Sequence, residues 1–119
     1  MPDDQEPVLN KQAALELCDD DEDLFLEIVQ AYLEDAIKHS KELLYALEAG
    51  DAHQVEERAH ALKGASSNIC AGPVREAALL LERAGRNGDL AQAPQLYKVF
   101  KKEFNRLLEH LKSLPPPSS

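Results

Sequence analysis

The sequence predicts an all-α domain: an antiparallel up-and-down four-helix bundle with a short extra helix at its N-terminal end. Three observations carry that prediction. Leucine and alanine dominate the apolar residues, tryptophan is absent and aromatics make up only 5% of the 119 residues, a composition that favours helix-on-helix packing over a sheet. Four stretches repeat their apolar residues at steps of three and four, the period of one helical face. Short breakers separate those stretches at Gly50-Asp51, Gly72-Pro73 and Asn87-Gly88-Asp89, and long helices joined by short connections lie antiparallel. A chain of this length holds one core and one domain.

Each element has its own signals. Residues 1–8 are polar, acidic and interrupted by Pro2 and Pro7, and are expected to be poorly ordered. Asn10 reads as the N-cap of a short helix through Cys18 that turns Ala13, Ala14 and Leu17 inward and forms a lid on the bundle. The acidic run Asp19 to Asp23 reads as a loop followed by first-turn carboxylates that suit the positive end of the next helix. A divalent ion there would need ligands converging from elsewhere in the chain.

The next helix is long, from about Asp23 to Ala49. Phe25, Val29, Tyr32, Ala36, Leu43 and Leu47 form its seam, widened by Ile28, Leu33, Ile37 and Leu44. Gly50 stops it, and Asp51 caps the following helix with Gln54 three residues on. That helix ends near Ile69 or Cys70. Pro73 then opens another in the first helical position, where its missing N–H is harmless. Val74, Ala77, Leu81 and Ala84 form its seam, Asn87-Gly88 ends it, and Asp89 is the expected cap of the last helix. Pro94 sets the start of that last helix, whose seam is Tyr97, Phe100, Phe104, Leu107 and Leu111. The domain is thus expected to span residues 9–112, with 113–119 as a Pro/Ser-rich tail.

The chemistry lies between Val55 and Gly72. Val55, Ala59, Leu62, Ser66 and Ile69 fall on one stripe, the one a core accepts. At about 100° per residue His60 stands about 140° from the centre of that stripe, Gly64 about 180° and Lys63 about 80°. A glycine in an exposed helical face costs about 1 kcal/mol against alanine, and core packing cannot offset that cost on the outer face. Bare backbone beside His60 makes sense where another molecule must come close to the ring. Lys63 adds a positive charge for an arriving anion. An exposed, uncrowded, cation-flanked histidine suits a phosphoryl acceptor. Neutral imidazole is well populated near pH 7, and phosphoryl transfer asks a protein mainly for positioning and charge stabilisation.

The run Ala59-His60-Ala61-Leu62-Lys63-Gly64 resembles the A-H-x-L-K-G signature of histidine-containing phosphotransfer (HPt) domains. The similarity extends to Leu47-Glu48-Ala49-Gly50-Asp51 before the histidine helix, to Leu81-Glu82 after it, and to Asn87-Gly88-Asp89 at the next break. It spans roughly Leu9 to Leu111. One departure is Cys70, where many members carry glycine. The resemblance implies a four-helix bundle that relays a phosphoryl group between histidine and a receiver-domain aspartate. His60 would be phosphorylated through Nε2, with Lys63 stabilising an added charge of about −1.5 to −2. Glu82 resembles a glutamate that orients the histidine ring in chemotaxis-kinase phosphotransfer domains. Glu56, one turn before His60, is a second candidate for that task. Gly64 and Ser67 form the candidate partner approach, whereas Ser66 sits on the buried seam. The expected partners are response-regulator receiver domains, a hybrid sensor histidine kinase, or both. The chain itself is expected to bind no cofactor and to be a monomer, with Mg²⁺ on the partner receiver domain.

Other functions find little support. A formal net charge of −9 opposes non-specific binding to nucleic acid or anionic membranes. No P-loop, glycine-rich nucleotide loop or nucleophile elbow occurs, so the expectation is a phosphate carrier without autonomous kinase activity. Glu57-x-x-His60 matches one half of a di-metal bundle site, but the second half is missing and both residues face outward. His39, His53 and His110 read as solvated side chains. The first residues lack the basic and apolar regions of a secretory signal. The expectation is therefore a cytoplasmic protein whose Cys18 and Cys70 stay reduced. The competing class is a helical adaptor that binds signalling partners by packing alone, and His60-x-x-Lys63-Gly64 weighs against it.

Overall fold

The structure, a computed structural model, describes residues 7–118. Five helices occur among them: α1 (Lys11–Leu17), α2 (Glu22–Ala49), α3 (Ala52–Asn68), α4 (Gly72–Arg86) and α5 (Ala93–Lys112). The four long ones close a bundle in which α2 packs on α3, α3 on α4, α4 on α5 and α5 back on α2, while α1 rests on α2. No strand occurs among the described residues. The 28 residues of α2 account for about 42 Å at 1.5 Å per residue, nearly the full 44 Å of the molecule's longest extent. Residues 1–6 of the expected disordered N-terminus, and Ser119 of the tail, lie outside the described residues.

The helix ends follow local chemistry. Asn10, Asp21 and Asp51 each accept a backbone N–H three residues on, from Ala13, Leu24 and Gln54 respectively. Each satisfies one of the donors that a helix start leaves without an intrahelical partner. Gly50 ends α2 with φ +68°, a left-handed position glycine adopts without steric cost. Cys70 holds the same region at φ +55°, which explains why glycine would suit this site. Its carbonyl accepts the Asn10 N–H at 2.9 Å and so ties the start of α1 to the α3–α4 turn.

The α3 stripe is buried as its periodicity demands: Val55, Ala59, Leu62, Ser66 and Ile69 all lie in the interior. Ser66 keeps its hydroxyl there because Tyr32 of α2 meets it at 2.9 Å, which satisfies two polar groups together. Three expectations need correction. Leu17 points outward and is 68% exposed, because α1 stops there and the left-handed Asp19 and Asp20 turn Cys18 into the core instead. In α4 the seam runs Val74, Ala77, Ala78, Leu81, Glu82 and Gly85, so Gly85 takes the place expected of Ala84, which is only half-buried. Asp89 does not cap α5. Its carboxylate accepts from Ala91 N in a local turn, and α5 starts at Ala93 with Gln92 before it and Pro94 in the first turn.

Candidate functional site

The site is a meeting of α3 with α4. His60 projects from the outer side of α3 and is 67% exposed. Its Nδ1 lies 2.8 Å from Glu82 Oε2 on α4. Glu82 itself is only 2% exposed, a carboxylate on the apolar seam of its helix. It remains there because three cationic or protonatable groups converge on it. Lys63 Nζ stands 2.8 Å from Oε1 as an ion pair, outside the angles of an aligned hydrogen bond. Arg86 donates through Nη2 to Oε2 at 2.9 Å, and through Nε to Glu56 at 3.0 Å.

The electrostatics follow from that arrangement. Burial pushes the Glu82 carboxyl up, but the Lys63 ammonium and the His60 ring outweigh it and hold Glu82 below the usual glutamate range. Arg86 is pushed up by its bond to Glu56 and by the charge of Glu82. An ionised carboxylate offers only acceptors, so the His60 Nδ1–H donates to Glu82. In the neutral ring that assigns the tautomer and leaves a lone pair on Nε2, the nitrogen turned away from Glu82. A cavity of about 430 Å³ opens beside it, lined by His53, Glu56, Glu57, His60, Glu82 and Arg86. One turn beyond His60, a Cβ built on Gly64 would meet nothing within 4 Å. The backbone there is open to an incoming surface.

Residues 27–113 match the Hpt domain family. This chain belongs to the Hpt family. Two relatives agree with that assignment. The Hpt domain is 31% identical, over 85 residues, to the phosphorelay intermediate protein rdeA of Dictyostelium discoideum. The match takes in 71% of this chain and 34% of that protein, so the chain spans about a third of the curated relative. It also superposes on the crystal structure of histidine-containing phosphotransfer protein B (HptB) from Pseudomonas aeruginosa PAO1 with a TM-score of 0.82 and 30% identity. That likeness covers 91% of this chain and 94% of the other. Phosphotransfer in two-component phosphorelays is the family's work.

Within this Hpt domain the residues singled out by sequence fall into three groups. His60, Lys63 and Glu82 come together. Gly64 stays beside them as open backbone. Glu56 does not reach His60 by any hydrogen bond but holds Arg86, which in turn holds Glu82. Ser67 is occupied within the chain, donating to the Lys63 carbonyl and accepting from Arg75. Of the other histidines, His53 and His110 are exposed, while His39 is half-buried with Nδ1 3.3 Å from Arg58. Among the described residues no group of three or more His, Cys, Asp or Glu side chains could hold a metal ion. Arg86 was missed, although Glu82 and Arg86 stand at the i,i+4 spacing that pairs charges on a helix. Gly85 was missed too.

Proposed function

We propose that His60 is the phosphorylated residue and that this chain relays a phosphoryl group to and from receiver-domain aspartates. The observation that supports this best is the Glu82 contact, which holds the ring by Nδ1 and turns Nε2 outward. In the forward step the Nε2 lone pair attacks phosphorus of an aspartyl phosphate. An N–P bond forms, the P–O bond to the aspartyl carboxylate breaks, and that carboxylate leaves with the bonding pair. Nδ1 keeps its proton, so positive charge grows on the ring as the bond forms. The anionic Glu82 stabilises that charge, an effect stronger in a buried setting than in water. In the return step a receiver carboxylate attacks phosphorus and the N–P pair goes back to Nε2.

Lys63 is the phosphate-stabilising cation. It is 24% exposed, close enough to solvent to turn from Glu82 Oε1 toward the arriving oxygens. Gly64 gives the partner room to approach. The partners are receiver domains, a hybrid sensor kinase, or both. The carboxylates around His60 are already committed to cations, Glu82 to Lys63 and Arg86, Glu56 to Arg86. This supports a chain that binds no cofactor and leaves Mg²⁺ to the receiver. It acts as a carrier and has no kinase activity of its own. No helix among the described residues is long and apolar enough to cross a membrane, which fits a relay working in the cytoplasm.

The test is transfer from phosphorylated receivers to the wild-type chain and to His60→Gln. Acid-labile label on the wild type alone is the expected result. Equal labelling of both proteins would end the relay reading, and no labelling of either by any receiver would favour a packing-only adaptor.

A further inference from the structure

Gly85 occupies the buried seam of α4 at a place where the two helices nearly touch. A Cβ built on it would lie 2.5 Å from Glu56 N, 2.7 Å from Ala52 O and 3.0 Å from Glu56 Cα. All three atoms are backbone, so no side-chain rotation could make room. The two helices run antiparallel, and one turn up α3 from Glu56 is His60, while one turn back along α4 from Gly85 is Glu82. The Gly85 contact and the Glu82–His60 bond are therefore successive rungs of one ladder. We infer that Gly85 is a positioning residue for phosphotransfer: its missing Cβ sets the α3–α4 spacing that lets Glu82 reach His60. This rests on His60 being the acceptor.

The distances show how little slack exists. Bringing an alanine Cβ from 2.5 Å to an ordinary 3.4 Å contact requires a withdrawal of 0.9 Å. Carried undiminished to the next rung, that displacement stretches the 2.8 Å His60–Glu82 bond to about 3.7 Å, which is no longer a hydrogen bond. The neighbouring Lys63 and Arg86 have flexible stems and can follow the carboxylate. The imidazole, on a shorter stem, has less reach. The effect of a Cβ at residue 85 thus falls on the tautomer of His60.

The experiment is Gly85→Ala, read by ¹⁵N spectra of the His60 ring and by phosphotransfer rate, alone and in a Glu82→Gln background. Expected are retained helix content, loss of the Nδ1–H tautomer, and a transfer rate about tenfold lower, the scale of one charge-assisted hydrogen bond. In the Glu82→Gln background the same substitution should slow transfer by a smaller factor than in the wild type, since the bond it disturbs is already weakened. Val74→Ala, a core truncation elsewhere on α4, should lower stability while leaving the His60 spectrum as in the wild type. If Gly85→Ala populates too little folded protein, the spectra are taken in trimethylamine N-oxide, which favours the folded state. An unchanged tautomer, or rate losses that multiply in the double variant, would overturn the inference. Because the spectra need no phosphoryl donor, failure of the positioning role is distinguishable from failure of His60 as acceptor.

Discussion

Replacing Glu82 by glutamine keeps the shape of the side chain and removes its charge. The carboxylate is 2% exposed and receives His60 Nδ1 at 2.8 Å, with Lys63 and Arg86 at 2.8 and 2.9 Å. A hydrogen bond to a charged group contributes about 1.5–3 kcal/mol, and a neutral one about 0.5–1.5. The difference of about 1–1.5 kcal/mol lies mainly in the phosphorylated ring and its transition state, where positive charge resides. At 1.36 kcal/mol per decade, phosphoryl transfer to His60 should slow about tenfold. Stability should suffer less than for a typical buried pair. Breaking such a pair costs about 3–5 kcal/mol when the surviving charge is trapped, but Lys63 and Arg86 both reach water. A loss near 1 kcal/mol is expected, well short of that range. Rapid-quench transfer from a phosphorylated receiver gives the rate, and urea unfolding gives the stability. An unchanged transfer rate in a folded Glu82→Gln protein would refute the role assigned to the carboxylate.

Further outcomes follow from other contacts. Gly64→Gln should raise the melting temperature, since it adds about 0.5–1 kcal/mol of helix propensity in open space, yet slow transfer by crowding the approach to His60. Faster or equal transfer would remove the steric role of Gly64. Glu82 titrates below the usual glutamate value of 4.5, so its ionised form stabilises the fold above that value, and the contribution is lost as pH falls through the lowered one. The stability gap between wild type and Glu82→Gln should therefore shrink as pH falls below about 4.5, measured by urea unfolding at each pH. Tyr32→Phe leaves the buried Ser66 hydroxyl without its 2.9 Å partner and should cost about 1 kcal/mol, visible as a melting temperature lower by a few degrees with transfer unchanged.

The parts of this domain that were legible in the sequence are those where one period or one cap decides the outcome. The α3 stripe from Val55 to Ile69 follows a 3.6-residue period without exception, so both its buried face and the exposed His60–Gly64 face could be placed. Asp51 and Gly50 were readable because a cap and a left-handed stop act within a few residues. The misses came from contacts between elements. Leu17 has the right spacing for burial, but the chain leaves the helix one residue before completing the turn that would bury it. Asp89 bonds within its own turn in preference to the helix ahead. Glu82 could be suspected only by resemblance, since a carboxylate on an apolar seam looks like an error in the pattern until three groups from two helices are seen to meet it. Gly85 carries no local signal beyond being a glycine inside a helix, and its reason lies on the backbone of another one.

The central claim is that Glu82 holds Nδ1 and leaves Nε2 of His60 to take the phosphoryl group. The most direct measurement is phosphorus and nitrogen NMR of the ¹⁵N-labelled protein after phosphorylation by a receiver. Coupling of phosphorus to Nε2 of His60, with Nδ1 still protonated, is the predicted result. Phosphorus on Nδ1 of that ring, or on another histidine such as His53, would contradict it.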